Sequence, residues 1–426
     1  MVYVYSCLAA LLFAWPAAGA YYTQRDYYKS PEFFQEYISN FSRTYADGTP
    51  EYKMRHLLFT QRVAWIEQHN SQEDALWKAG INHFIDRTHE EFSRLHGWKA
   101  TNKKGSRGPA ALLSVGSSTK QVELPEELSW SHLGAMKDLS SQGGCGSCWA
   151  LAASVMLDAR YEIQTKSRRT FSAQQLVNCV PNPQECGGSG GCRGATVELA
   201  LDYALAKGLK DETAMPYEGE EGECAIEDAI PSPAYLQQLQ GGAQGGAKFG
   251  LQSYETLPSN RARPLMENLL EGPVAISAAA SDWMLYRSGI FNHCDRDTVV
   301  NHAVVAIGYG QQNGIKYWTV QNSWGKSWGE GGLIRVHRHE TPEDDEAFCG
   351  TDSRPEDGLE CKPYRDSVTV CGQCGILFDS VVAKFAPSSL KLRGTRWPAR
   401  RLVWDQSRSA KVPHAPAASG KFHQQH

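Results

Sequence analysis

Gln142-Gly143-Gly144-Cys145-Gly146-Ser147-Cys148-Trp149 puts a thiol on a tight glycine turn directly before a helix-forming run, so the chain must carry Cys148 at a loop-to-helix junction. From Cys148 onward Trp149, Ala152, Val155, Met156, Ala159 and Ile163 recur at three-and-four spacing, which predicts a helix with one buried face. The sulfur would then stand at the helix N-terminus, where the dipole and free N–H groups favour an anion, and the thiolate is the reactive form of cysteine. A bridged, purely structural cysteine is the plainer alternative.

Two further segments answer what such a thiol would need. Asn301-His302-Ala303-Val304-Val305-Ala306-Ile307-Gly308 sets a histidine at the start of a β-branched, strand-like run, and Gln321-Asn322-Ser323-Trp324-Gly325 follows one strand later. A sulfur nucleophile requires a base to take its proton, and the base requires a third group to hold its ring. Taken singly, His302 reads equally as a structural histidine and Asn322 as a turn residue.

With 426 residues, 41% hydrophobic and 21% charged, the chain can bury one large core or two modest ones, and a net charge of −4 gives no reason to expect nucleic acid as a partner. Val2 to Ala14 is an apolar run too short for a comfortable membrane span, and Ala18-Gly19-Ala20 follows as a small-residue cleavage site, so residues 1–20 read as a signal peptide and no transmembrane segment is expected. Entry into the secretory pathway, toward a lysosome, a vacuole or the extracellular space, would account for twelve cysteines. Cys145-x-x-Cys148 and Cys371-x-x-Cys374 also have the spacing of zinc knuckles or of a redox dithiol, a reading that leaves Gln142, His302 and Asn322 unexplained.

Cys145-Gly146-Ser147-Cys148-Trp149, with His302 and then Asn322 in that order, resembles the papain and cathepsin family of cysteine proteases. The resemblance implies an α+β, two-lobed papain-like fold, with a helical lobe, a β-barrel-like lobe and an α-helical inhibitory prosegment. It implies Cys148 as nucleophile, His302 as base, Asn322 as its orienting group and Gln142 as the oxyanion-hole amide, held in the mature enzyme as a thiolate–imidazolium pair. Gly194, Ala195, Ser277, Val300, Asn301, Trp324 and Asp379 fall at substrate-contacting positions, with Asp379 or, one residue on, Ser380 at the floor of the pocket for the second residue upstream of the scissile bond. It pairs Cys145 with Cys192, Cys179 with Cys224 and Cys294 with Cys374, leaving Cys148 free and Cys186, Cys349, Cys361 and Cys371 for two bridges of unknown pairing. No metal or cofactor is implied. Substrates would be proteins and peptides, with endopeptidase action by a monomer. A catalytically silent secreted relative that binds or inhibits proteins is the alternative.

Glu51, Arg55, Phe59, Ile66 and Asn70 match the long helix of cathepsin L-like propeptides, and Gly80-Ile81-Asn82-His83-Phe84-Ile85-Asp86 matches the motif after it, while Arg62 stands where that helix carries Asn. The propeptide would occupy residues 21–123, inhibit the enzyme and be released in acid as carboxylates such as Asp86 are protonated. The peptidase domain would span 124–386, its lobes running from about Leu124 to Pro231 and from about Gly250 to Pro387. Strands are expected at Pro273 to Ile276, Val304 to Gly308, Tyr317 to Val320 and Leu333 to Val336, and a second helix from Ala195 to Lys207. The Gly-rich core within 226–250 should not pack, the acidic run Glu343-Asp344-Asp345-Glu346 should be a solvated loop, and the inserted segment around it could occlude the cleft. Residues 387–426 form a basic extension expected to lack a fold.

Overall fold

The computed structural model describes residues 30–96, 122–225 and 245–386. The signal peptide, most of the linker before the peptidase domain, the 240–244 part of the Gly-rich stretch and the basic extension lie outside these residues.

The prosegment begins with two capped helices. Ser30 caps α1 (Pro31–Asn40) and Thr49 caps α2 (Pro50–Asn70), each accepting from a backbone N–H of the first turn while a proline fills the opening helical position. Phe34, Tyr37, Tyr52 and Phe59 lock the two helices together through ring contacts of about 5 to 6 Å. Asp86 is buried beneath them, accepting from Tyr37 and Arg43 on one oxygen and from Tyr45 on the other, each at 2.8 Å. Arg62 replaces the expected asparagine with a longer reach: its Nη1 donates to the carbonyls of Phe84, Ile85 and Arg87 at 3.3, 2.9 and 2.6 Å. Strand β1 (Trp77–Ala79) and the short helix α3 (His89–Ser93), closed by a Thr88–Glu91 capping box, complete this part.

After the two-residue strand β2 (Leu128–Ser129), the helical lobe centres on α4 (Cys148–Thr165), with α5 (Ala173–Cys179) and α6 (Val197–Lys207) against it. The spacing predicts one apolar face on α4, yet Cys148 through Arg160 are buried on every side. The reason is position: α4 packs against α5 and α6 and also against the sheet. Two polar side chains inside this shell are answered locally, Asp158 by the Phe171 N–H at 2.8 Å and Arg160 by the Pro273 carbonyl at 2.8 Å. Of the Gly-rich core at 240–246 only Gly245 and Gly246 are described, and these two pack, against expectation: both are buried, and Gly245 N donates to the Leu205 carbonyl at 3.1 Å beside Phe249, whose ring lies 4.6 Å from that of Phe171.

The second lobe comprises β3 (Leu251–Thr256), α7 (Ala262–Leu269), β4 (Val274–Ala278), β5 (Tyr286–Phe291), β6 (His302–Gln312), β7 (Ile315–Gln321), β8 (Leu333–Arg338), α8 (Pro342–Ala347), β9 (Cys349–Asp352), β10 (Val368–Cys371) and β11 (Ser380–Phe385). The main sheet runs β1-β5-β8-β7-β6-β4-β11-β3, with β2 added to β6. Its central strand β6 is buried continuously from His302 to Gly310, which is why its sequence reads as an unbroken apolar run. The prosegment strand β1 pairs antiparallel with β5 and so extends the lobe's own sheet. The acidic run is not a loop: Thr341 caps α8, and the helical turn drives Asp345 inward to accept from the Trp318 indole N–H at 3.1 Å and to pair with His339 at 2.7 Å.

Candidate active site

Cys148 is the first residue of α4, and its buried sulfur is the only thiol left unbridged among the described residues. Cys145 is joined to Cys192, Cys179 to Cys224, Cys294 to Cys374, Cys186 to Cys361 and Cys349 to Cys371. Cys145, Cys371 and Cys374 are thus bridged outside their own Cys-x-x-Cys spacings, so neither spacing is a dithiol pair, and among the described residues no group of His, Cys, Asp and Glu is arranged to hold a metal. No helix among them is long and apolar enough to cross a membrane.

The sheet register brings the other residues to this sulfur. His302 opens β6 opposite Ala278, and Asn322 follows the end of β7, whose last residue Gln321 lies opposite Val305. The backbone N–H of Ala303 is directed at the Cys148 sulfur, linking β6 to the head of α4. His302 Nε2 lies 2.8 Å from Asn322 Oδ1, an oxygen that can only accept, so Nε2 carries a proton and Nδ1 is left bare. That Nδ1 is buried without a partner. Asn322 Oδ1 also accepts from the Ser323 N–H at 2.7 Å, which fixes the amide and through it the ring. Trp324 stacks on His302 at 4.9 Å and is fully buried.

Gln142 projects its amide into the same space. Nε2 donates to the Leu95 carbonyl at 2.6 Å and to Cys145 O at 2.9 Å, while Oε1 accepts from Ser323 at 2.7 Å. The prosegment thus lays one of its own carbonyls on the amide expected to stabilise an oxyanion. Its rings close the rest: His96 faces His302 at 5.4 Å, and Phe84 and Phe92 meet Trp324 edge-on at 5.3 and 5.2 Å. Burial under this cover pushes the Cys148 thiol up to about 11 and the His302 imidazole down to about 4. Both shifts favour the thiol and the neutral imidazole in the proform, the reverse of the thiolate and imidazolium expected of the uncovered helix terminus.

The positions read as substrate contacts divide into two groups. Ser277 and Asp379 meet, Ser277 Oγ donating to Asp379 Oδ2 at 2.7 Å, and Asp379 is raised by burial and faces Glu198, a second acid that the sequence did not single out. Ser380 pairs with Ile276 in the sheet and is buried on the other side of the strand. Asn301 turns its side chain to the neighbouring loop, accepting from the Ala280 N–H at 3.2 Å and donating to Ser281 at 3.1 Å. Val300 is no open pocket wall, because Leu359, Val368, Val370 and Phe378 of the inserted segment and its sequel cluster over it. The Gly194 carbonyl is taken by the Gly190 N–H at 2.7 Å, and Ala195 is buried.

Comparison with known proteins gives a consistent picture. A model of the papain family of cysteine proteases matches residues 124–356, and one of the cathepsin propeptide inhibitor domain matches residues 34–92. The chain is 34% identical over 294 residues to the cathepsin L-like proteinase of Fasciola hepatica, covering 67% of this chain and 82% of that one. It is 31% identical over 296 residues to the oryzain beta chain of Oryza sativa subsp. japonica, covering 68% of this chain and 58% of the relative, so it spans less than two thirds of that protein. Among solved structures, a recombinant stem bromelain precursor superposes with a TM-score of 0.61 at 27% identity, covering 83% of this chain and 98% of the other.

Proposed function

The chain belongs to the papain family of cysteine proteases and carries that family's propeptide inhibitor domain, and we propose that it hydrolyses peptide bonds through a thioester on Cys148 once the prosegment has left. The observation that carries this reading is the chemistry left open at His302: Nε2 is committed to Asn322, and the bare Nδ1 is the atom free to take the proton of the one unbridged thiol among the described residues.

With the cover gone, water returns, the dipole of α4 favours the thiolate, and the proton passes from Sγ to His302 Nδ1. The thiolate attacks the carbonyl carbon, and the developing oxyanion takes the position now held by the Leu95 carbonyl, against Gln142 Nε2 and the Cys148 N–H. His302 protonates the departing amine as the C–N bond breaks. It then removes a proton from water, which attacks the thioester and returns Cys148 as the free thiol. Asn322 keeps the ring in register through both halves, and Trp324 shields the His302–Asn322 bond from water.

The facing acids Asp379 and Glu198, with Ser277, form the floor of the pocket for the second upstream residue and favour a basic side chain there. The enzyme acts in the secretory pathway, consistent with five disulfides among the described residues. The test is to acidify the purified proenzyme with thiol present and apply a thiol-directed epoxide. Labelling of Cys148 that stops peptide hydrolysis is expected; an unlabelled, inactive protein would favour the silent binding relative. In the active enzyme Asp379→Ala should lower the preference for Arg over Leu about tenfold to a hundredfold, whereas a change seen only in Ser380→Ala would move the pocket by one residue.

A further inference from the structure

Between β9 and β10 the chain leaves the β-rich lobe and reaches the helical one. Its near end is fastened at Val300, two residues before His302. Asp352 Oδ2 accepts from the Val300 N–H at 3.2 Å, and Gly358 presses so close that a side chain there would stand 2.4 Å from the Val300 carbonyl oxygen. The far end is fastened to the loop before Cys192. Gly187 N donates to Glu360 O at 3.2 Å, Lys362 N donates to Gln184 O at 2.8 Å, and Cys361 is bonded to Cys186.

That loop is itself folded onto the segment bearing Gly194 and Ala195. Gly190 N donates to the Gly194 carbonyl at 2.7 Å, and a side chain at Gly187 would stand 2.7 Å from the Ala195 carbonyl oxygen. The inserted segment therefore joins the two walls at positions read as substrate contacts, one wall through Val300 and the other, by way of the Cys186 loop, through Ala195. The joint is covalent and apolar as well as hydrogen-bonded.

We propose that residues 353–367 are a fixed strap across the upstream end of the cleft, so that the enzyme reads two residues upstream of the scissile bond and gains nothing from a third or fourth. This rests on the proposed peptidase site and extends it. A longer chain is still cut, but its further residues leave the cleft over the strap and find no groove to pair with. Specificity would then be concentrated on the second upstream residue, above the Asp379 and Glu198 carboxylates.

The test is a series of acyl-capped fluorogenic peptide amides carrying two, three, four and five residues upstream, read as kcat/KM on the processed enzyme. Hydrolysis of the two-residue member establishes the peptidase reading independently. In the unaltered enzyme kcat/KM should stay within about threefold, or fall, as the peptide lengthens. In the Cys186→Ser, Cys361→Ser double variant the four-residue member should gain at least about fivefold over the two-residue one. A tenfold rise with length in the unaltered enzyme, or a flat series in a folded double variant, would overturn the proposal. If the variant fails to fold, the series on the unaltered enzyme decides alone.

Discussion

Two covers lie over the same cleft, and they are held by opposite means. The prosegment is fastened without a covalent bond between its residues 30–96 and the peptidase domain: β1 on β5, Asn82 Nδ2 on the Met284 carbonyl at 2.8 Å, Gln142 on Leu95, and aromatic rings over Trp324. The inserted segment is fastened by Cys186–Cys361 and its base by Cys349–Cys371. The prosegment also encloses imidazoles, at His83 and His96, that lose their neutral form in acid. One cover is built to be shed under a change of solvent, and the other is tied in place. Hydrogen bonds and buried neutral groups give pH-dependent attachment, while a bridge between walls gives permanence.

The largest effect separates chemistry from covering. Cys148→Ala should lose hydrolysis and self-processing by at least about ten-thousandfold, while its thermal unfolding stays that of the unaltered proform, since both covers remain. His302→Ala should come close to this loss, and Asn322→Ala should be milder because a misoriented base is better than none. Processing of a clean Cys148→Ala preparation would show that the prosegment leaves by another route.

Next in size is the pH at which the prosegment lets go. His83, 3.3 Å from Ser327 of the β-rich lobe, is pushed down to about 4, first by burial and then by Arg43 and Arg87. His96, between Phe92, Trp324 and His302, is lowered by burial and then by His302 and His89. For both groups the bound form is favoured above the ordinary histidine value near 6.5, and that advantage is lost as pH falls below it, for His83 down to about 4. Glu91 is held down to about 2, chiefly by its hydrogen bonds from Arg55, so its share is present above about 4.5 and is lost only below that. Residues 21–123 added in trans should therefore inhibit roughly ten- to a hundredfold less at pH 4.5 than at pH 7, and His83→Gln with His96→Gln should flatten that slope. Loosening confined below pH 4.5 would assign release to carboxylates such as Glu91 instead.

The smallest effect tests a single side chain of the removable cover. Arg62→Ala removes the donor from the carbonyls of Ile85 and Arg87, while Phe84 O keeps the Arg87 N–H at 2.9 Å, a loss of about 1 to 3 kcal/mol. The inhibition constant at pH 7 should rise on the order of tenfold, and Arg62→Lys should recover only part, since an ammonium cannot reproduce the planar guanidinium. An unchanged constant would mean that water satisfies those carbonyls as well as the arginine does.

The two covers also differ in how far the sequence discloses them. The prosegment and the two-lobed fold are legible because their signals are local: a spaced helix, a short motif, a glycine turn before α4, and an apolar run for β6. The strap is not, because Cys186 and Cys361 lie 175 residues apart and only the sheet topology decides that they meet. Arg62 reads as a broken motif until the three carbonyls it reaches are seen. Asp345 reads as one charge in a solvated run because burial depends on the turn of α8 and on Trp318 waiting for an acceptor. The ionic form of Cys148 follows the helix dipole in the sequence, but under the prosegment desolvation outweighs it.

The pairing of β1 with β5 has a consequence for the enzyme after activation. When Trp77–Ala79 departs, Tyr286–Phe291 becomes a free margin of the sheet, with backbone donors and acceptors that another polypeptide could adopt as a template for aggregation. The strand is poorly suited to that fate: Arg287 stands exposed on it at the point where the register with β1 shifts, and Gly289, with φ of +95°, breaks the extended run. Activation thus opens a self-association hazard in the act of opening the active site, and the charge at Arg287 and the kink at Gly289 both oppose it.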